Sequence, residues 1–373
     1  MLANRKFVCD SHSEIFDMVK DAVDFDFWDF AQAPIIDGAV YLFGRQQFME
    51  HQSRIVTMIE SQKHIVIFGN PAEGSSTLEG QLRSLGLEKY VLEKKLLVIS
   101  GGKIDPAYPA LCYDYFLDVC LGYEENTQAM ANIDKIFDHR AKPYSFLFLN
   151  GRSRPHRKYL IERLREQGLL EQALWTCLDP RPPRNRDFDL ESMKSITEIK
   201  RLPSNYEYPK YRQPVQIASH QRHFIKYDMF DNTWGEVYIY SAPYIDSYFS
   251  LVTETVYEVP RSFRTEKIVK PLAQGHPWIC AASPGFYRDI KALGFRSFDS
   301  VIDESFDQID NAQDRMDRIL AVVNDLCHSD LSHFLDQTKH ICKYNQQRLI
   351  EYRNQIRTSL PQRLVEFVEQ YSK

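Results

Sequence analysis

Apolar runs of strand length alternate with segments of helical spacing through most of this chain. Residues 38–43 and 64–68 read as strands, and between them Met49, Ile55, Met58 and Ile59 recur at near-helical intervals over 45–62. A second helical segment over 77–85 leads to a strand at 95–100 that ends in Gly101-Gly102. Strands and helices in that succession predict an α/β unit whose loops gather at the carboxyl ends of its strands. Helical tendency at 15–23 and 113–121 and a less regular stretch over 126–137 complete this half, and the polar stretch 138–143 reads as a hinge.

Beyond the hinge the theme repeats. The apolar strand 144–149 delivers Asn150-Gly151-Arg152-Ser153-Arg154-Pro155-His156-Arg157 to a helix predicted from 158 towards 167. Strands follow at 170–178 and 234–240, with a short helix over 243–249. The most informative stretch is 250–277. Its β-branched run ends at Glu254, a polar loop carries Pro260 and Arg261, and helical spacing starts at Thr265. Gly275-His276-Pro277 stops that helix before Trp278-Ile279-Cys280-Ala281 reads as another strand, which makes a βαβ step. Further helices are expected at 287–293, 309–327, 331–356 and 360–368, with Asp303-Glu304-Ser305-Phe306-Asp307 capping the second of them. Met316, Ile319, Leu320 and Val323 share one face there and should cover a sheet.

With 373 residues and 43% hydrophobic content the chain can bury a sizeable core, and its length favours two domains. No apolar run approaches the roughly 20 residues of a membrane helix, and the opening MLANRKFVCDSHSE holds no apolar signal segment. A soluble, cytoplasmic protein is therefore expected. The cysteines, Cys9, Cys112, Cys120, Cys177, Cys280, Cys327 and Cys342, are odd in number and scattered, which suits a reducing compartment. Cys112 with Cys120, and Cys327 with His328 and His333, lack the paired close ligands of a zinc site, so no metal is expected.

The net charge of -5, from 46 basic and 51 acidic side chains, argues against non-specific binding to long nucleic acid. Basic residues such as Arg181, Arg184, Arg186, Arg212 and Arg222 nonetheless concentrate within 181–223, where a phosphate-bearing substrate would meet them. The loop 69–76 is neither G-x-G-x-x-G nor a Walker sequence, so it supports neither dinucleotide nor ATP binding. Asp24-Phe25-Asp26 resembles an Asp-x-Asp metal site, but Asp187-Phe188-Asp189 repeats it in a Pro- and Arg-rich loop, and packed aromatics with solvated acids are the plainer reading.

The candidate chemistry is recognition of a nucleotide diphosphate sugar. Glu266 can accept both hydrogen bonds of a vicinal diol, while Lys267, Arg264 and the first-turn N–H groups suit phosphate oxygens. A capped, solvent-facing first turn would use the same triplet. Arg152 and Arg154 are candidates for diphosphate contact, Asn150 for fixing their turn, and His156 for a cap or phosphate contact without acid–base work. Glu73, on a Gly-rich loop, is the candidate general base, with Asp37 and Asp105 as poorer choices.

Residues 250–310 resemble the donor domain of the alpha-1,3-fucosyltransferase family, especially fucosyltransferase-like proteins of bacteriophages and large viruses. The matching pieces are 250–255, Phe263-Arg264-Thr265-Glu266-Lys267, Lys270-Pro271, Gly275-His276-Pro277, Leu293-Gly294-Phe295, Phe298 and Asp303-Glu304-Ser305, with 148–157 similar to the first strand and turn. The resemblance implies two Rossmann-like domains facing a cleft (GT-B type) with carboxyl-terminal helices. The acceptor side would be 1–140, the nucleotide-sugar donor domain 141–310, and the helical extension 311–373. It further implies an inverting glycosyltransferase without catalytic metal or permanently bound cofactor. Glu266 would then bind ribose, Lys267 diphosphate, Arg152 or Arg154 phosphate, and Glu254 sugar or ribose. Thr253-Glu254-Thr255 stands where the family carries Glu-Asn-Ser, so the sugar pocket is expected to differ. The expected partners are a nucleotide-sugar donor and a hydroxyl acceptor, either a glycan, a small molecule or a modified base in DNA. The protein would act as a monomer or homodimer.

Overall fold

The strands of the first sheet are short, and their order is set by contacts far apart in sequence. The structure is a computed structural model that describes residues 6–9, 24–27, 35–122, 124–151, 154–178, 203 and 239–371. It divides into two compact units, one of the described residues up to Val119 and from Arg353 onward, the other of those from Cys120 to Tyr352. The hinge expected at 138–143 falls inside the second unit.

In the first unit β1 (Lys6–Cys9), β2 (Asp24–Phe27), β3 (Val40–Phe43), β4 (Ile65–Asn70), β5 (Leu97–Ser100) and β6 (Ala110–Cys112) form one sheet in the order β2-β1-β3-β4-β5-β6. Every pairing is parallel. All residues of β3 and β5 are buried, as a strand covered on both faces must be. Helix α1 (Arg45–Ser61) covers the sheet with Phe48, Ile55, Met58 and Ile59, and α2 (Ser75–Ser84) adds Leu78 and Leu82. Strands β1 and β2 went unread in the sequence, and residues 15–23 lie outside the described ones.

The second unit carries β7 (Tyr144–Phe148), α3 (Pro155–Glu166), β8 (Ala173–Trp175), β9 (Ser247–Thr253), α4 (Glu266–Gln274), β10 (Trp278–Ala281), α5 (Phe286–Ala292), α6 (Ala312–Cys327) and α7 (Leu331–Gln370). Its parallel sheet has the order β10-β9-β7-β8. The chain leaves β7 towards β8 on one side and returns to pair β9 on the other. The β7/β9 boundary is therefore the topological switch point, where an open parallel sheet offers its ligand crevice at the strands' carboxyl ends. Both units are thus parallel α/β sheets of Rossmann-like character.

Several boundaries differ from expectation for identifiable reasons. Helix α3 starts at Pro155, whose fixed φ suits the first helical position, so His156 and Arg157 belong to the helix and not to the turn. The strand expected over 170–178 shrinks to β8 after a 3₁₀ turn, Leu169–Gln172, and the helix expected to reach 249 ends at Ile245 because β9 pairs from Ser247. Asn311, not the acidic 303–307 stretch, caps α6, its Oδ1 accepting from Gln313 N at 2.9 Å and Asp314 N at 3.0 Å. The helices expected at 331–356 and 360–368 are one helix that continues through Pro361, where burial of Leu360, Leu364 and Val368 offsets the lost hydrogen bond. Its last turns lie in the first unit, where Arg353 Nε and Arg357 Nε reach Asp118 Oδ1 at 3.1 and 2.7 Å. The strand expected at 234–240 lies mostly outside the described residues. Among those residues no helix is long and apolar enough to cross a membrane.

Gly275 ends α4 in the left-handed region at φ 64°, and a Cβ there would lie 2.2 Å from Ile133 Cδ1. His276 follows, 1% exposed. Its Nε2 bonds the carbonyl of Ser247 at 2.9 Å, which fixes the hydrogen on Nε2 and leaves Nδ1 to accept from Ser250 Oγ at 2.9 Å. Burial pushes the imidazole from its ordinary 6.5 down to about 3. The unfolded chain therefore takes up a proton that the fold refuses, so stability is intact above pH 6.5 and is lost as pH falls towards 3. Each unit in that window costs at most about 1.4 kcal/mol. Denaturant midpoints between pH 7 and 4 should fall more steeply for wild type than for His276→Gln. Equal slopes would show that His276 does not titrate in this way.

Candidate functional site

Asn150 lies just beyond β7 and Glu254 just beyond β9, on either side of the switch point. The two strand ends are tied by Thr253 Oγ1, which donates to Asn150 Oδ1 at 2.9 Å. Helix α3 starts near the end of β7 and α4 follows β9, so both helices present their amino termini at this end of the sheet. Arg157 Nη2 donates to Thr253 O at 3.1 Å, and His156 Nε2 bonds Glu254 O at 2.9 Å.

Glu254 is fully buried, and both of its carboxylate oxygens serve the protein. Oε1 accepts from Thr265 N at 3.0 Å, and Oε2 accepts from Thr265 Oγ1 at 2.6 Å and Thr255 N at 3.2 Å. Burial raises its carboxyl above the usual range, against the pull of Lys267 and the Thr265 hydrogen bonds. Glu254 thus anchors the N-cap of α4. Thr265 caps the helix, its Oγ1 accepting from Lys267 N at 3.3 Å.

Lys267 is half-buried and folds back over that cap. Its Nζ lies 3.1 Å from Thr265 Oγ1 and 3.5 Å from Thr255 Oγ1, and it pairs with the Glu266 carboxylate. Glu266 is buried; burial pushes its carboxyl up, but the Lys267 ammonium, helped by Lys270, outweighs this and holds it below the ordinary value. Arg264 is buried in the loop before the cap, with Nη1 on Ser262 Oγ at 2.9 Å.

Arg154 occupies the N-cap position of α3 and is partly exposed. Arg152 lies outside the described residues, as do Asp187, Asp189 and, apart from Pro203, the basic 181–223 segment. His156 is 1% exposed and stacked on Tyr257 with ring centroids 5.1 Å apart. Burial, with the charges of Arg157, Arg154 and Lys267, drives its pKa well below the ordinary value, so the ring is neutral and serves as a brace. Asn150 is 3% exposed, and its Nδ2 has no hydrogen-bond partner among the described residues.

One strand end of the second unit therefore gathers Asn150, Arg154, Glu254, Arg264, Glu266 and Lys267. Glu73 belongs to the first unit, on the loop after β4, with its N donating to Asn70 O at 3.1 Å and its O accepting from Gly101 N at 2.9 Å. That sheet switches direction between β1 and β3, one strand away from the Glu73 loop. Asp37 and Asp105 precede β3 and β6 and so sit ahead of the strands' amino ends. Among the described residues no group of three or more His, Cys, Asp or Glu is placed to hold a metal, and Cys112, Cys120 and Cys327 form no disulfide.

The sequence reading put one residue at this end in the wrong element and missed another. Arg157 was counted with the turn, although Pro155 marked the helix start ahead of it. Arg315, on α6, is fully buried and donates from Nε to Ala282 O at 3.2 Å, from Nη1 to Ile309 O at 2.6 Å and Asp310 O at 3.0 Å, and from Nη2 to Tyr257 O at 2.5 Å. It joins the loop between β9 and α4 to the segments after β10 and before α6, and nothing in its local sequence marks that role. Compared with known proteins, the chain matches no family model, no curated protein and no solved structure.

Proposed function

We propose that this chain is an inverting, metal-independent glycosyltransferase of the two-domain GT-B type, taking its donor, a nucleotide diphosphate sugar, on the second unit. The observation that carries the reading is the assembly of Glu266, Lys267, Arg154 and Asn150 with two helix amino termini at the β7/β9 switch point. A carboxylate beside an ammonium at a helix start matches a ribose diol joined to a diphosphate. The resemblance of 250–310 to fucosyltransferase donor domains agrees with that pairing.

In the proposed reaction the acceptor oxygen attacks the anomeric carbon from the face opposite the diphosphate. The new C–O bond forms as the bond to the diphosphate breaks, and configuration inverts. The acceptor proton passes to a carboxylate, for which Glu73 is the candidate, and the nucleoside diphosphate leaves with its charge met by Lys267, Arg154 and the helix termini. Arg157 joins this group as a second guanidinium at the sheet's carboxyl end. The acceptor is a hydroxyl of a glycan or small molecule.

Titration calorimetry with GDP, UDP, ADP, CMP and their common sugar conjugates tests the reading. Selective binding that both Glu266→Ala and Lys267→Ala weaken is expected. Absence of binding across the panel would favour a non-catalytic protein of this fold, and strong salt-sensitive binding to DNA would move the acceptor to a modified base.

A further inference from the structure

Adjacent residues of a helix point in different directions, yet Glu266 and Lys267 are in contact. They meet because Lys267 turns back over the N-cap, and its three N–H donors are then directed at Thr265 Oγ1, Thr255 Oγ1 and Glu266 Oε1. A carboxylate that holds this ammonium at the first turn of α4 stands where a helix amino terminus would hold an anionic ligand. Asn150 supplies a separate sign of a ligand. It is 3% exposed, its Nδ2 has no partner among the described residues, and Thr253 ties it to the strand whose next residue, Glu254, anchors the α4 cap.

We infer that Glu266 plugs its own anion site in the free protein and thereby selects ligands that bring a phosphate and a vicinal diol together. The inference rests on the proposed nucleotide-sugar reading for the identity of the ligand, though the plug itself does not. A phosphate alone can take Lys267 only by stranding a buried carboxylate without its cation. A diol alone leaves the ammonium where it was and finds Glu266 already occupied. A ribonucleoside diphosphate does both exchanges at once, because its hydroxyls donate to the displaced carboxylate as its phosphate accepts from Lys267.

The plug predicts that removing the Glu266 charge improves binding of the anionic half alone. Titration calorimetry of inorganic pyrophosphate should show Glu266→Gln binding about tenfold tighter than wild type, with Glu266→Ala repeating the measurement if the first variant melts early. A gain below about threefold overturns the plug. Wild type should also bind GDP, UDP or ADP, whichever it accepts, about tenfold tighter than the 2′,3′-dideoxy counterpart, and equal affinities would overturn the diol requirement. Pyrophosphate gain with no nucleotide binding would keep the plug and remove the nucleotide-sugar reading. Nucleotide binding with unchanged pyrophosphate affinity would do the reverse.

Discussion

Lys267→Ala should lower turnover of the preferred nucleotide sugar by about a thousandfold, the scale of losing one charged group that stabilises a leaving group. The loss should fall on kcat as well as on KM, because diphosphate charge grows as the glycosidic bond breaks and the ammonium matters most at that point. The variant also leaves Glu266, 9% exposed along its side chain, without its cation. That should cost about 1–3 kcal/mol of stability and a few degrees in Tm. A double variant, Lys267→Ala with Glu266→Gln, separates the two effects. It should recover Tm by removing the stranded charge while turnover stays low. Turnover within tenfold of wild type in Lys267→Ala would remove Lys267 from the mechanism.

The α/β alternation was legible because parallel strands covered on both faces read as apolar runs. Strands β3, β4, β5, β7, β9 and β10 and the helices between them follow from such runs. The sheet orders did not follow, since they depend on which distant strand each edge meets. β1 and β2 are four residues each and carry no alternation long enough to count. The gap expected between the helices 331–356 and 360–368 is closed, because burial of Leu360 and Leu364 carries α7 on through Pro361.

For the site, the sequence placed Glu266 and Lys267 at a helix start after a strand, and the structure puts them there. It did not indicate that Glu254 would be closed off by Thr265 and Thr255, because a carboxylate in sequence carries no sign of which donors will meet it. The switch point gives the location a physical reason that spacing alone lacked. It depends on β9 returning to the side of β7 away from β8, a choice invisible in either strand.

Arg315→Met should destabilise the second unit by about 4 kcal/mol, the cost of removing a buried cation from a complete set of partners. The guanidinium is fully buried over the Tyr257 ring, 4.3 Å from its centroid, its hydrogen bonds run to backbone carbonyls, and burial lowers its pKa. Methionine fills part of the volume but supplies no donor, so the carbonyls of Tyr257, Ala282, Ile309 and Asp310 lose hydrogen bonds in a dry setting. Tm should fall by about 10 °C. Lysine keeps the charge but not the planar fork, so Arg315→Lys should recover less than half of the loss. Tyr257 lies in the loop from Glu254 to Thr265, so both variants should also weaken nucleotide binding well below their melting temperatures, although Arg315 contacts no proposed ligand group. Thermal unfolding with calorimetry at 15 °C checks both effects. A Tm within 2 °C of wild type for Arg315→Met would show that the loop is held by its own contacts and that Arg315 is dispensable to it.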